Sequence, residues 1–284
     1  MSRLINAGFA RLFKNKVFYG IVIFSAVFGI LQGTPGALDK MDGATFYIDS
    51  QFISFAIVSG VISACFTGLF LGTEYSDGTV RNKLIVGHGR LNIYISNLAV
   101  CCVANLIFIA VYYISVLIAA LPQGGKFMTA GKILVLYAIC GIMISVAFTA
   151  VMVFLGTAIG SRSRCVVACF ILAIGLAFAS AYINGRLQEP ETYDRYITDA
   201  NGEFSAVETV PNPGYVEGAA RKALETSLEI LPSGQATILV STLSIGDTPV
   251  EEADVLYKWM GYSALFAAVF TTMGIGVFRR KDIK

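Results

Sequence analysis

Residues 73–90 read TEYSDGTVRNKLIVGHGR, a charged stretch lying between two long apolar runs. It carries Glu74, Asp77, Arg81, Lys83, His88 and Arg90, and His88 is the single histidine of the chain. The flanking runs, 52–72 and 91–121, contain no charged side chain. Apolar runs of ~20 residues have the length that crosses a bilayer as a helix. Charge this dense between two such runs predicts a short structured element pressed against a membrane face.

Composition agrees with a membrane location. Hydrophobic residues make up 56% of the 284 positions and charged residues 14%, against ~45–50% and ~25% in soluble domains. The net charge of +2 is too small to imply a nucleic-acid partner. A basic arm precedes the first apolar run, but no small-residue cleavage site follows it cleanly, so a cleavable signal is not expected. The six cysteines (65, 101, 102, 140, 165 and 169) all fall in or beside apolar runs. There they act as small apolar residues, and no CxxC spacing proposes a disulfide framework or a zinc site.

Further spans follow on both sides of the opening stretch. The arm MSRLINAGFARLFKNK places Leu4, Ile5, Phe9, Leu12 and Phe13 on one helical face, with Arg3, Arg11 and Lys14 toward the other. That is the pattern of a helix lying in the headgroup layer. Spans are expected at about 17–33, 52–72, 91–121, 133–160, 165–183 and 259–278. A polar loop with Asp39, Lys40, Asp42 and Asp49 separates the first two. Residues 184–257 form a long acidic segment in which Ala220, Leu224, Ser227, Leu228 and Leu231 mark an amphipathic helix, with Pro232-Ser233-Gly234 as its stop. The fold class is therefore all-α and polytopic: six transmembrane helices in one domain over 1–284, an interfacial N-terminal helix, a short helix between spans two and three, and a large loop between spans five and six.

Orientation follows from the basic residues. The N-terminal arm, the opening stretch, the turn at Arg162 and Arg164, and the tail from Arg279 to Lys284 together hold 13 of the 21 Lys and Arg residues. The positive-inside rule then places both termini and the opening stretch in the cytoplasm, with the acidic segment outside. A multi-pass protein of a bacterial plasma membrane is expected.

The spans exclude several classes. Ion-coupled carriers and voltage sensors depend on intramembrane charges, which these interiors lack. Asn97 and Asn105 in the third span are candidates for a polar pathway or for interhelical hydrogen bonds. No G-x-x-x-x-G-K-[ST] occurs: Gly125-Lys126 and Gly131-Lys132 lack the rest of the motif. The chain is not expected to be an enzyme, and any pumping must draw on a partner's energy.

Within the opening stretch, Asp77 or Thr79 can cap a short helix entered through Gly78. Val80, Leu84 and Ile85 would face one way, with Arg81, Asn82 and Lys83 around the rest. Gly87 and Gly89 can end it. Glu74 stands at the mouth of span two, within reach of Arg81 or Arg90.

The pattern Glu-x-x-x-Gly-Thr-x-Arg-x-x-Leu, followed by a glycine-containing turn and Arg, resembles the permease subunits of type-2 ABC exporters. The matching positions are Glu74, Gly78, Thr79, Arg81, Leu84 and Arg90. The six-span order, the interfacial arm and the basic tail share the family's layout, although the segment before span six is longer than in many members. The resemblance implies that residues 80–86, beginning at Val80, form a coupling helix docking on a separate ABC ATPase. Glu74 and Arg81 would then sit in the polar network that links docking to span movement. It further implies a homodimer or a heterodimer with a related permease, ATP and Mg on the ATPase rather than on this chain, and export as the direction. The alternative is a membrane-anchored sensor or scaffold acting through the acidic external segment.

Overall fold

A computed structural model describes residues 1–35, 45–198, 204–244 and 253–281. The positions of Asp39, Lys40, Asp42 and Lys284 lie outside the described residues. Six helices are long and apolar enough to cross a membrane, as in an all-α multi-pass membrane protein. They are α2 (Lys16–Gly33), α4 (Phe55–Ser76), α6 (Arg90–Ala120), α7 (Gly131–Ile159), α8 (Arg162–Gln188) and α11 (Ala253–Arg280). Shorter helices are α1 (Ser2–Leu12), α3 (Asp49–Ile53), α5 (Thr79–Ile85), α9 (Gly218–Ile230) and α10 (Pro232–Ser244), with a hairpin of β1 (Thr192–Thr198) and β2 (Phe204–Pro211).

Helices α4 and α7 form the centre of the bundle. α8 packs on α4, α11 on α7 and α2 on α6. The outward faces of the peripheral helices are themselves apolar, with Phe24, Leu31, Ile171, Phe178, Leu265 and Val269 exposed. Such faces fit a hydrocarbon surrounding rather than water. The α2–α6 crossing depends on two glycines one turn apart: a Cβ on Gly33 would stand 2.5 Å from the Val116 carbonyl oxygen, and one on Gly29 2.7 Å from that of Tyr112. Small residues at such crossings let helix backbones approach closely.

The second span starts earlier than the sequence indicates, with the one-turn helix α3 leading into α4. Asp49, expected in a polar loop, is buried, and its carboxylate accepts from the backbone N–H groups of Met128 and Thr129 at 2.9 Å each. This ties the start of span two to the turn before α7.

The described residues between 184 and 257 are more structured than a loop. Helix α8 continues to Gln188, and the antiparallel hairpin follows it. The amphipathic helix forms as expected and buries Leu228. Pro232 does not merely stop it. As the residue before proline, Leu231 is forced to extended dihedrals, and Pro232 then opens α10 at a position where a missing N–H costs nothing. Helix α10 packs against α3, α4, α7 and α8. Its buried polar groups are satisfied: Ser180 donates to Ser233 (2.7 Å), Ser263 donates to the Gln235 side chain (2.6 Å), and Gln235 donates to the carbonyls of Glu229 and Trp259.

Candidate functional site

The opening stretch folds into α5. Its N-cap is Gly78 in the left-handed region (φ 66°), not Asp77 or Thr79, and no side chain caps it. Its end is a Schellman turn: Gly87 (φ 92°) donates to the Leu84 carbonyl at 2.9 Å and His88 to that of Lys83 at 3.1 Å. Val80 is buried and Leu84 half-buried, as the spacing predicts. Ile85 does not join them. It is 71% exposed and Val86 76%, beside exposed Arg81 and Asn82.

Beneath this helix lies a cluster of charge. Glu74, in the last turn of α4, is 2% exposed. Its carboxylate pairs with Arg11 of α1 at 2.8 Å and with Lys83 of α5, and accepts from the Asn97 side chain of α6 at 2.7 Å. The Arg11 guanidinium also lies over the Phe70 ring, 3.7 Å from its centroid. Four elements thus meet at one carboxylate. Burial pushes the Lys83 ammonium down to about 8, and the neighbouring Arg11 charge acts in the same direction. Burial likewise lowers Arg11 to about 10. A cluster of one anion and two cations keeps its charge in such a site only while each partner stays in place.

The partners differ from those expected. Arg81 points away, because Val80 and Leu84 occupy the inward face and residue 81 lies about a quarter turn off it. Lys83, three residues after Val80, falls on the inward side. Arg90 stands apart from Glu74 altogether. Its guanidinium donates to the carbonyls of Phe278 (2.8 Å) and Arg279 (3.2 Å), capping the end of α11. Just beyond, Lys281 donates to the carbonyls of Thr157 (2.6 Å) and Ala158 (3.1 Å) at the end of α7, and its ammonium lies 4.7 Å from the Tyr75 ring centroid. Burial lowers the Lys281 ammonium. Cations at helix C-termini satisfy orphan carbonyls and oppose the helix dipole.

Asn97 and Asn105 are both buried between helices. Asn97 bonds Glu74, and Asn105 accepts from Ser63 at 2.9 Å. With α4 and α6 antiparallel, these two rungs clamp spans two and three together.

Sequence reasoning missed Arg11 and Lys281. Each basic residue was legible as a charge at a span end, but the partner of Arg11 is 63 residues away and that of Lys281 more than a hundred. The six cysteines are free thiols. Among the described residues, no group of three or more His, Cys, Asp or Glu side chains is placed to hold a metal. The arrangement ties the position of α5 to those of α1, α4 and α6 through one carboxylate. Neither a protein-family model nor a curated protein sequence matches this chain.

Proposed function

We propose that the chain is the membrane permease subunit of an ATP-driven ABC transporter of the exporter class, with α5 as the coupling helix that docks on a separate ATPase. One observation carries this reading. Helix α5 presents an apolar tip, Ile85 and Val86, to the outside, while its other face is held by the Glu74 ion cluster. An exposed apolar pair rimmed by polar Arg81 and Asn82 is the composition of a small docking surface. The rigid seat behind it means that a push on the tip would move α1, α4 and α6 as one body.

In this reading both termini and α5 are cytoplasmic in a cell membrane. ATP and Mg reside on the ATPase, and a second permease, identical or related, completes the pathway. The chain itself hydrolyses nothing. Co-expression with the P-loop proteins encoded beside it and affinity purification test the idea. The wild-type chain should retain an ATPase that Ile85→Asp and Arg81→Glu release. If no ATPase is retained, or both variants hold it as firmly as the wild type, the coupling role is wrong.

A second reading draws on the hairpin. Strands β1 and β2 pair with each other, and Tyr193 and Val207 are exposed. A two-stranded hairpin is marginally stable alone, which favours a sensor or scaffold binding a partner there. Deleting residues 192–211 while scoring ATPase retention separates the two.

A further inference from the structure

A cavity of about 130 Å³ lies between α4, α7, α8 and α10, at the end of the bundle remote from Glu74. Its floor is Gly60, Phe148 and Ala173, all buried. Its mouth is flanked by Ile57 and Ala181, both exposed. Protein interiors rarely leave such a volume empty. Here the space exists because α8 turns only alanines toward it, Ala173, Ala177 and Ala181, while α10 holds the far wall at a distance through Ser233 and Thr237.

The lining chemistry selects the occupant. The two hydroxyls on the wall are already engaged: Ser233 accepts from Ser180 at 2.7 Å, and Thr237 donates to the Ser233 carbonyl at 2.9 Å. No other lining side chain is polar, so a water entering would find at most these two hydroxyls, against the about three partners that a buried water makes. Apolar cavities of ~150 Å³ stay dry and admit benzene-sized guests. The mouth lies between exposed Ile57 of α4 and Ala181 of α8, two of the helices long and apolar enough to cross a membrane, and α8 also exposes Phe178 one turn from Ala181 and Ile171 on another face. In a bilayer crossed by these helices, hydrocarbon chains would abut that opening.

We infer that this cavity is a binding site for the methyl end of a lipid acyl chain, inserted between α4 and α8 beneath α10. The site is separate from α5, and the inference does not rest on the docking of an ATPase. A chain seated there fills the void under α10 and packs on Phe148, so its presence holds α10 against the spans.

The test uses the full chain in nanodiscs of phosphatidylcholine carrying a diazirine near the methyl end of one acyl chain. After irradiation, adducts are located by peptide mass spectrometry. Adducts are expected on Val61, Ala177 and Thr237 as well as on outward-facing Ile171. Ala177→Phe fills the cavity and should abolish the adducts at Val61 and Thr237 while leaving those at Ile171 unchanged. Thr237→Leu closes it from the α10 side and should abolish the adducts at Val61 while leaving those at Ile171, which guards against one variant failing to assemble. Labelling confined to Ile171 in the wild type, or adducts at Val61 that persist in both variants, overturns the assignment. So does an Ile57→Cys chain that cross-links to a second copy while the lining stays unlabelled, since a neighbouring side chain then occupies the mouth.

Discussion

Two charged knots stand at the same end of the bundle, and they are built on opposite principles. At Glu74, a carboxylate that is almost wholly buried holds Arg11, Lys83 and Asn97 from three other elements. At Arg90, a guanidinium and the neighbouring Lys281 ammonium donate to backbone carbonyls at the ends of α11 and α7, with no carboxylate among their hydrogen-bond partners. The first knot binds charge to charge in a low-dielectric setting, so each member depends on the others. The second binds cations to helix ends, where the acceptors are neutral and a water can replace a lost donor. One knot should fail as a unit. The other should weaken by degrees.

The sharpest way to break the contrast is Glu74→Gln. It keeps the shape and leaves Arg11 and Lys83 buried without an anion, a change that costs about 3–5 kcal/mol when one partner of a buried pair is removed. The thermal unfolding midpoint of the purified chain in detergent should drop further than for any substitution at Arg90. A midpoint like the wild type's would mean that water already screens the cluster.

The next effect is a pH dependence, larger at Lys83 in the first knot than at Lys281 in the second, where burial acts in the same direction. Lys83 titrates at about 8 in the folded chain against 10.5 ordinarily. Between those values the unfolded chain binds more protons than the folded one, so the contribution of this group to stability rises with pH across that window. Below about 8 both states are protonated and the contribution is flat. The slope can reach at most ~1.4 kcal/mol per pH unit. Lys83→Met should remove that slope and leave the acid side unchanged, read as unfolding midpoints on either side of pH 8. An unchanged slope would place the titration on another group.

How much of this was legible follows the range of the forces. The six apolar runs announce themselves because a span is a local property of ~20 residues. Helix α5 was legible because its stops, Gly78 and Gly87, and its inward pair, Val80 and Leu84, lie within one short stretch. The partners of Glu74 were not. Arg81 and Arg90 were the near candidates in sequence, yet helical periodicity turns Arg81 outward and Arg90 starts a new helix aimed at α11. Inward placement of Lys83 could have been read from its i+3 relation to Val80. Arg11 could not, because only the docking of α1 against α6 brings it there. Helix α10 was hidden for a different reason. Its Ser, Thr and Gln residues read as a polar loop, and only the bundle supplies the hydrogen bonds that let Gln235 be buried.

Substitution in the second knot should give the smaller, graded loss. Arg90→Met removes the donor shared by the carbonyls of Phe278, Arg279 and Lys281 at the end of α11, an effect of about 1–2 kcal/mol for charged hydrogen bonds to a helix terminus. Arg90→Lys should recover part of it, since a point charge still meets the helix dipole but lacks the guanidinium's fixed planar geometry. Partial recovery, measured by unfolding midpoint, is the signature of a cap. If Arg90→Met instead matches Glu74→Gln, the two knots are one network and the contrast between them is lost.

The smallest stability effect should come from the tip that both knots leave free. Ile85 is 71% exposed, so Ile85→Ser should change stability by no more than ~0.5 kcal/mol. The physical point lies in that separation. A residue whose removal scarcely affects the fold, set on a helix seated on the Glu74 cluster, is what the proposed docking surface requires. Comparing Ile85→Ser with Val80→Ser on the opposite face makes the test internal. Val80 is buried, so its loss should cost about 1–3 kcal/mol. If the two variants unfold alike, α5 is loosely seated, and a push on its tip would be absorbed locally instead of reaching α1, α4 and α6.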